Sequence, residues 1–462
     1  MTEPVSTLER VARALILALL AIGIVAFPIP YGAVLPGGRL LVQILAFSAL
    51  AAAALVRSRP GLGRARFAWV PLLLLAALGG LQLVPLPHSL LASVSPASAE
   101  IHAKANEVLA LFGKAQIPSR ISIAPTETVQ ATLFILACAS LFYAAAAVST
   151  RTTRRRLGWL LVLASAAHLV WAVSAQREED RVHGAFVNPN HLAGYLEVAL
   201  AVAFAFVVES ILTGRDREAR GRDPFDRLHR RWTPVAWRAL AWGVILIGIL
   251  VTRSRGGIAA AVLTTIVVLI VALSSRHVRH HRMFAIAGSL SVAAGVAIAF
   301  LTTGVYPLLR FLTTDPRDAG SDTRVTLWRI SVDAWRDFPM LGSGLGTFRE
   351  AFRRVQPDGM NMLVEQAHSD AVQMLVTGGV AGLALAAIAL GTMLALFGHG
   401  AITARHREPG AWALAGLGAI VSLLLHGLAE FNFSIPAVPA TLAIVAGLAW
   451  GGVGEEATGE RR

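Results

Sequence analysis

Arg253-Ser-Arg255-Gly-Gly257-Ile258-Ala-Ala-Ala-Val-Leu-Thr-Thr-Ile-Val-Val-Leu-Ile-Val-Ala-Leu273 is the stretch that decides the fold. From Ile258 to Leu273 there is no charge and no helix breaker. Such a run belongs in hydrocarbon, where a helix of roughly 20 residues satisfies its own backbone polar groups. A second run, Ala239–Val251, ends just before it, so Arg253 and Arg255 sit between two spans with almost no linker.

Outward from here the pattern repeats. Val11–Phe27, Leu40–Val56, Phe67–Leu86, Glu127–Ser149, Leu157–Ala175 and His191–Leu212 precede it; Met283–Thr303, Ala371–Phe397, Ala411–Ala429 and Pro436–Gly452 follow. No small-x-small cleavage site follows the first run, and Pro28-Ile-Pro30 does, so it reads as a retained span. The 462 residues are 55% hydrophobic and 15% charged, too apolar for a water-exposed surface. The expected fold class is an all-α integral membrane protein of about 12 transmembrane helices, one polytopic domain over 1–462. A large loop, 304–370, lies within it, and Ser98–Phe112 in an earlier loop has helical spacing suited to the membrane surface.

The net charge of +13 is nearly all arginine, Lys104 and Lys114 being the only lysines. In a soluble chain this would point to nucleic acid. Here the arginines fall in short connectors, the pattern of loops facing anionic headgroups, so the partner is the lipid bilayer and not nucleic acid. With the N-terminus in the cytoplasm, the inner segments hold 25 Lys/Arg. The outer ones hold 8 once the eight of the long loop are set aside. That ratio fixes both termini as cytoplasmic and puts 176–190, Arg253/Arg255 and 304–370 on the outer side. The lone Cys138 forms no internal disulfide.

The outer loop is not a plain anion funnel, because nine acids match its eight arginines. Asp322-Thr-Arg324-Val325 through Trp335 has apolar residues at i, i+3, i+7 and i+10, with Asp322 as a possible cap. A second amphipathic stretch follows Gly342-Ser-Gly344-Leu-Gly346 and places Phe348, Phe352 and Val355 on one side. Arg253 and Arg255 allow two readings, headgroup anchoring and binding of phosphate oxygens; the Ser-Arg-Gly-Gly setting of Arg255 favours the second. Arg181 is on the same side, with Glu178, Glu179 and Asp180 as alternative ion-pair partners, and Asn188-Pro-Asn190 reads as the turn capping the next helix. His368-Ser369 closes the long loop. Three outer arginines and one histidine fit a diphosphate beside a general base. No cluster has metal-ligand spacing, so neither metal nor cofactor is expected. His168 and His426 read first as structural, Glu197 is ambiguous, and Glu430, beside Phe431-Asn432-Phe433, is better placed to reach an outer cavity.

These motifs resemble the O-antigen ligase and polymerase superfamily of bacterial membrane glycosyltransferases. The resemblance rests on Arg181…Gly184-Ala-Phe-Val-Asn188-Pro189-Asn190, on Ser254-Arg255-Gly256-Gly257 and on Arg324…Trp328 with Gly342-Ser-Gly344-Leu-Gly346-Thr-Phe348. It also rests on His368-Ser369, nine positions, then Gly379-Val-Ala-Gly382. It implies a glycosyltransferase C-like fold in the inner membrane. The implied reaction is transfer of a glycan from undecaprenyl diphosphate to an acceptor hydroxyl at the periplasmic side, for lipopolysaccharide or surface-polysaccharide assembly. His368 would be the base; Arg181, Arg255 and Arg324 would hold the diphosphate; Arg253, Asn190, Ser369 and Glu430 would support them. The acceptor would be lipid A core for a ligase or another lipid-linked glycan for a polymerase. The histidine-glycine spacing favours the ligase, and the short tail without a soluble extension argues against a form with an appended domain for protein acceptors. A small-anion membrane transporter is the alternative of another class.

Overall fold

The structure, a computed structural model, describes residues 6–29, 31–56, 62–175, 181–275 and 323–458. The expected span Met283–Thr303, the loop residues 304–322 with the Asp322 cap, and Glu178, Glu179 and Asp180 lie outside the described residues. Among the described residues there are helices and turns and no strand. The helices are α1 (Thr7–Ala26), α2 (Pro36–Ala54), α3 (Leu62–Gln82), α4 (His88–Val94), α5 (Pro96–Leu111), α6 (Pro125–Ala147), α7 (Arg151–Ser174) and α8 (Pro189–Glu218). They continue with α9 (Pro224–Val251), α10 (Arg255–Ser274), α11 (Thr323–Asp337), α12 (Phe348–Val355), α13 (Asp370–Thr403), α14 (Arg407–Gly427) and α15 (Ala437–Thr458).

Nine described helices are long and apolar enough to cross a membrane: α2, α6 to α10, and α13 to α15. The runs expected in α1 and α3 are also helical; α1 carries Glu9, Arg10 and Arg13 near its start, and the apolar part of α3 is the shorter Trp69–Gln82. Helix starts follow capping chemistry. Ser6, Thr150, Asp223, Ser254 and Ser369 each accept a backbone N–H of the first turn of α1, α7, α9, α10 and α13. Along α1, Leu8, Val11, Leu15, Ile22 and Val25 are exposed, a lipid-facing surface that would aggregate in water. The helices α8, α14 and α15 are the most buried spans and form the centre of the bundle.

Two basic stretches that read as connectors are helical instead. Arg151–Arg156 forms the first turns of α7, and much of 215–238 belongs to α8 and α9. Arginine is a good helix former, and its charge can be met inside the bundle. Arg154 Nε and Nη2 each donate to Glu408 at 2.7 Å. Arg238 donates to the Ser210 hydroxyl at 2.6 Å and to the Phe206 carbonyl at 3.1 Å.

A cap sits on the other end of the bundle. Ile101 of α5, Leu327 and Ala334 of α11, and Phe348 and Phe352 of α12 share a second apolar core. The α5 helix is thus built into the cap through Ala97 and Ile101, while Val108 and Leu111 near its end and Phe112 just after it are exposed. Arg354 ties the layers together through Glu100 at 2.6 Å and Asp337 at 2.7 Å. Lys104 and Arg354 hold the Glu100 carboxyl down to about 2.

The cap enters the bundle at a break in α13. Gly379 has φ 64° and ψ −167°, which a side chain would strain, and a Cβ there would lie 2.4 Å from the Met340 carbonyl. The backbone groups released by the break are taken up by the 339–344 segment. Val380 N donates to Pro339 O at 2.9 Å and Ala381 N to Met340 O at 3.0 Å, while Ser343 N and Gly344 N donate to Val376 and Thr377 carbonyls at 3.1 Å. Gln82, fully buried at the end of α3, donates to Leu341 O and accepts from Leu345 N. Irregular backbone at membrane depth survives only when protein satisfies it in this way. Gly379 therefore admits the 339–344 loop against the helix.

Candidate functional site

The site is built around Glu430, in the turn after α14. It is 1% exposed, and its Oε1 accepts from Asn190 Nδ2 and from Arg324 Nη2. Its Oε2 lies 3.5 Å from His368 Nδ1. Burial pushes the Glu430 carboxyl up, but His368 and the Arg324 charge outweigh it, so the carboxyl ends below its ordinary value and stays ionised at neutral pH.

Asn190 passes the network on. It stands in the first turn of α8, where Asn188 Oδ1 accepts its backbone N–H at 2.9 Å. Its own Oδ1 accepts from Arg181 Nη2 at 3.1 Å, and Arg181 Nε donates to the Thr252 carbonyl at 3.1 Å. That carbonyl ends α9, one residue before Arg253. Burial lowers the pKa of the Arg181 guanidinium; Glu430 opposes this, and the charges of Arg255, Arg253 and Arg324 add to it. Arg181, Arg253, Arg255, Arg324, His368, Asn190 and Glu430 thus come together at one end of the bundle, drawn from α8, the α9–α10 link, α11 and the turn after α14.

The two arginines of the link differ. Arg253 has φ 53°, a left-handed conformation that costs a non-glycine residue of order 1 kcal/mol or more. It closes the C-terminus of α9 by donating its backbone N–H to Leu250 O at 3.0 Å. Arg255 opens α10, whose first turn presses on its neighbours: a Cβ at Gly256 would lie 2.9 Å from His426, and one at Gly257 2.8 Å from Ala193. The glycines are what let this turn pack so closely, while the Arg255 side chain itself is exposed.

His368 is held as firmly. It too is left-handed, with φ 50°. Trp328 Nε1 donates to Ala367 O at 2.9 Å, Ala367 N donates to Gln373 Oε1 at 2.8 Å, and Asp370 N donates to Glu430 O at 3.0 Å. Ser369 caps α13 through Val372 N at 3.5 Å and so supports the backbone. The imidazole meets Phe431 edge-on at 4.9 Å, and His191 meets the same ring at 4.6 Å from its other neighbour, α8. Asp370 Oδ1 accepts from Phe433 N at 3.1 Å.

This arrangement has two chemical capacities. A proton on His368 Nδ1 faces Glu430, which leaves Nε2 as the basic nitrogen. Arg324 pairs with Glu430, Arg181 reaches it through Asn190, and the charges of Arg253 and Arg255 act on Arg181, a gathering of guanidinium groups that favours an anion with several oxygens. Glu430 is more central than its sequence suggested. The only signal was an acid in an otherwise apolar stretch, because its partners lie 62, 106 and 240 residues away. His191, Asp370 and Asn432 were not picked out at all; each is polar next to a span, and each lines the site wall.

No curated protein matches the chain. Residues 239–387 match the family model described as O-antigen ligase. The matched segment contains Arg253, Arg255, Arg324, His368 and the Gly379 break, while Arg181, Asn190 and Glu430 lie outside it. With nine described helices long and apolar enough to cross a membrane, the chain is a polytopic membrane protein in which residues 239–387 are similar to the O-antigen ligase family.

Proposed function

We propose that the protein transfers a glycan from undecaprenyl diphosphate to an acceptor hydroxyl at the periplasmic face of the bacterial inner membrane. One observation carries the reading: Arg324 pairs with Glu430, Arg181 joins them through Asn190 with Arg253 and Arg255 near enough to act on its charge, and His368 Nδ1 lies 3.5 Å from the same carboxylate. Arg181 and Arg255 bind the diphosphate oxygens, and Arg324 supports them from α11. The acceptor oxygen forms its bond to the anomeric carbon as the bond from that carbon to the diphosphate oxygen breaks. The diphosphate leaves with the bonding electrons, and His368 takes the hydroxyl proton. Glu430 faces the Nδ1 side of the imidazole and orients it, as the carboxylate does in other His-carboxylate pairs. A diphosphate is already a good leaving group, so positioning, charge stabilisation and one base suffice. Direct displacement inverts the anomeric centre.

The excess of inner-side arginines supports the outward orientation. The acceptor is a lipid A core sugar for a ligase. Reconstitution of the full chain with a lipid-diphosphate glycan tests the reading. A product on a lipid A core acceptor supports the ligase; a product on a second lipid-linked glycan moves the protein to the polymerases. Flux of a small anion without any glycan product overturns the assignment.

A further inference from the structure

Beneath the site, inside the bundle, lies a second polar chain that the transfer reaction does not use. Ser254 Oγ caps α10, accepting from Gly257 N at 3.2 Å, and the same oxygen is 3.4 Å from His426 Nε2. His426 Nδ1 lies 2.7 Å from Glu197 Oε1, and Glu197 Oε2 accepts from the Ser422 hydroxyl at 2.9 Å. All four residues are at most 2% exposed. They link α10, α14 and α8 at the level where those helices begin or end. A histidine and a glutamate buried among apolar spans are costly to keep, and their default reading is functional.

The geometry gives them something to hold. The imidazole fills the space under the first turn of α10, so close that a Cβ on Gly256 would meet its Cδ2 at 2.9 Å. A proton on Nδ1 faces Glu197, and Nε2 is then the acceptor for the Ser254 hydroxyl hydrogen. The Ser254 oxygen keeps its lone pairs for Gly257 N, so cap and pair satisfy each other. Ser254 is flanked by Arg253 and Arg255. Two residues upstream is Thr252, whose side-chain oxygen accepts from Ser254 N at 3.2 Å and whose carbonyl receives Arg181.

We propose that His426 and Glu197 are positioning residues: they fix the Ser254 cap, and through it both Arg255 and the Thr252 carbonyl that aims Arg181. Neither touches substrate. The inference rests on the reading of the arginines as the diphosphate site, and predicts that disturbing the pair weakens donor binding more than it slows chemistry.

The test is binding of undecaprenyl diphosphate, without glycan, to the full chain in nanodiscs, beside steady-state transfer with a glycosylated donor. His426→Ala should raise the donor Kd and KM by ~10-fold, the scale of losing a cap and its hydrogen bond, with a smaller change in kcat. Combined with Arg255→Lys, the loss should be less than the product of the two single effects, because both act through one contact. His426→Asn, which keeps a side-chain polar group, should recover part of the affinity. If His426→Ala fails to fold, Ser254→Ala leaves the pair in place, cuts its link to α10 and should give the same rise in Kd. Unchanged donor affinity in folded His426→Ala or Ser254→Ala protein overturns the inference, as does a fully multiplicative loss with Arg255→Lys. Absence of binding by the wild-type chain would instead overturn the diphosphate reading itself.

Discussion

Two carboxylates, Glu408 and Glu430, sit at opposite ends of the bundle, and each is met by arginine. At one end Arg154, 1% exposed, grips Glu408 with two bonds of 2.7 Å and gives a third, at 3.0 Å, to the Ser149 hydroxyl. Ser149 in turn donates to Leu448 O, so α6, α7, α14 and α15 are locked together. One cation meets one anion and both are sealed. At the other end Glu430 is as buried, but the cations around it outnumber it, and Arg324 and His368 keep about a third of their side-chain surface open. The same chemical parts make a clamp when charge balances and burial is complete, and a binding site when cations are in excess and reach solvent.

Breaking the site should cost activity without costing fold. His368→Ala is expected to lower transfer by ~10²- to 10⁴-fold, the range for losing a general base, with unchanged membrane insertion and thermal stability. Near-normal turnover would remove His368 from the chemistry. Breaking the clamp should do the reverse. Arg154→Ala leaves a buried carboxylate unpaired and should lower stability by about 3–5 kcal/mol, while transfer per folded molecule stays normal. Replacing Arg154 and Glu408 together by methionine should restore most of that stability, which a melting experiment reads directly.

Smaller changes sharpen the contrast. Arg255→Lys keeps the charge and loses the fork, so donor affinity should fall by ~10-fold or more; full affinity would return Arg255 to headgroup anchoring. Gly379→Ala places a Cβ against the Met340 carbonyl and strains the backbone, for a loss of about 1–3 kcal/mol seen in melting temperature. The smallest effect concerns pH. Because the Glu430 carboxyl is held below its ordinary 4.5, its ion pairs contribute fully above that value and are lost as pH falls through the lowered one. Glu430→Gln should flatten this part of the stability profile, and a profile unchanged by the substitution would show that the pairs add nothing to folding.

The membrane spans were legible in the sequence because hydrocarbon imposes length and polarity on each run separately. The convergence of Arg181, Arg255, Arg324 and His368 was foreshadowed only by their shared side of the membrane, inferred from arginine counting. What stayed hidden depends on partners far apart in sequence. Arg154 reads as one more loop arginine until Glu408, 254 residues on, is placed beside it. Glu197 and His426 each look like a lone polar residue in a span, and only the packing of α8 against α14 makes them a pair. The Gly379 break was concealed for another reason: two adjacent glycines in an apolar run also suit close helix packing, and only the 339–344 backbone distinguishes the two.

That break divides α13 mechanically. The short upper segment, which begins at Ser369 and carries His368 at its head, is bonded through its carbonyls to the cap, and the cap is pinned to α3 by Gln82. Arg181 belongs instead to the segment that leads into α8, and Arg255 to the first turn of α10. His368 and the pair Arg181 and Arg255 are therefore mounted on different segments, joined at the site by Asn190, Glu430 and Arg324. On the proposed reading, a displacement of the cap would move His368 and Arg324 together relative to Arg181 and Arg255.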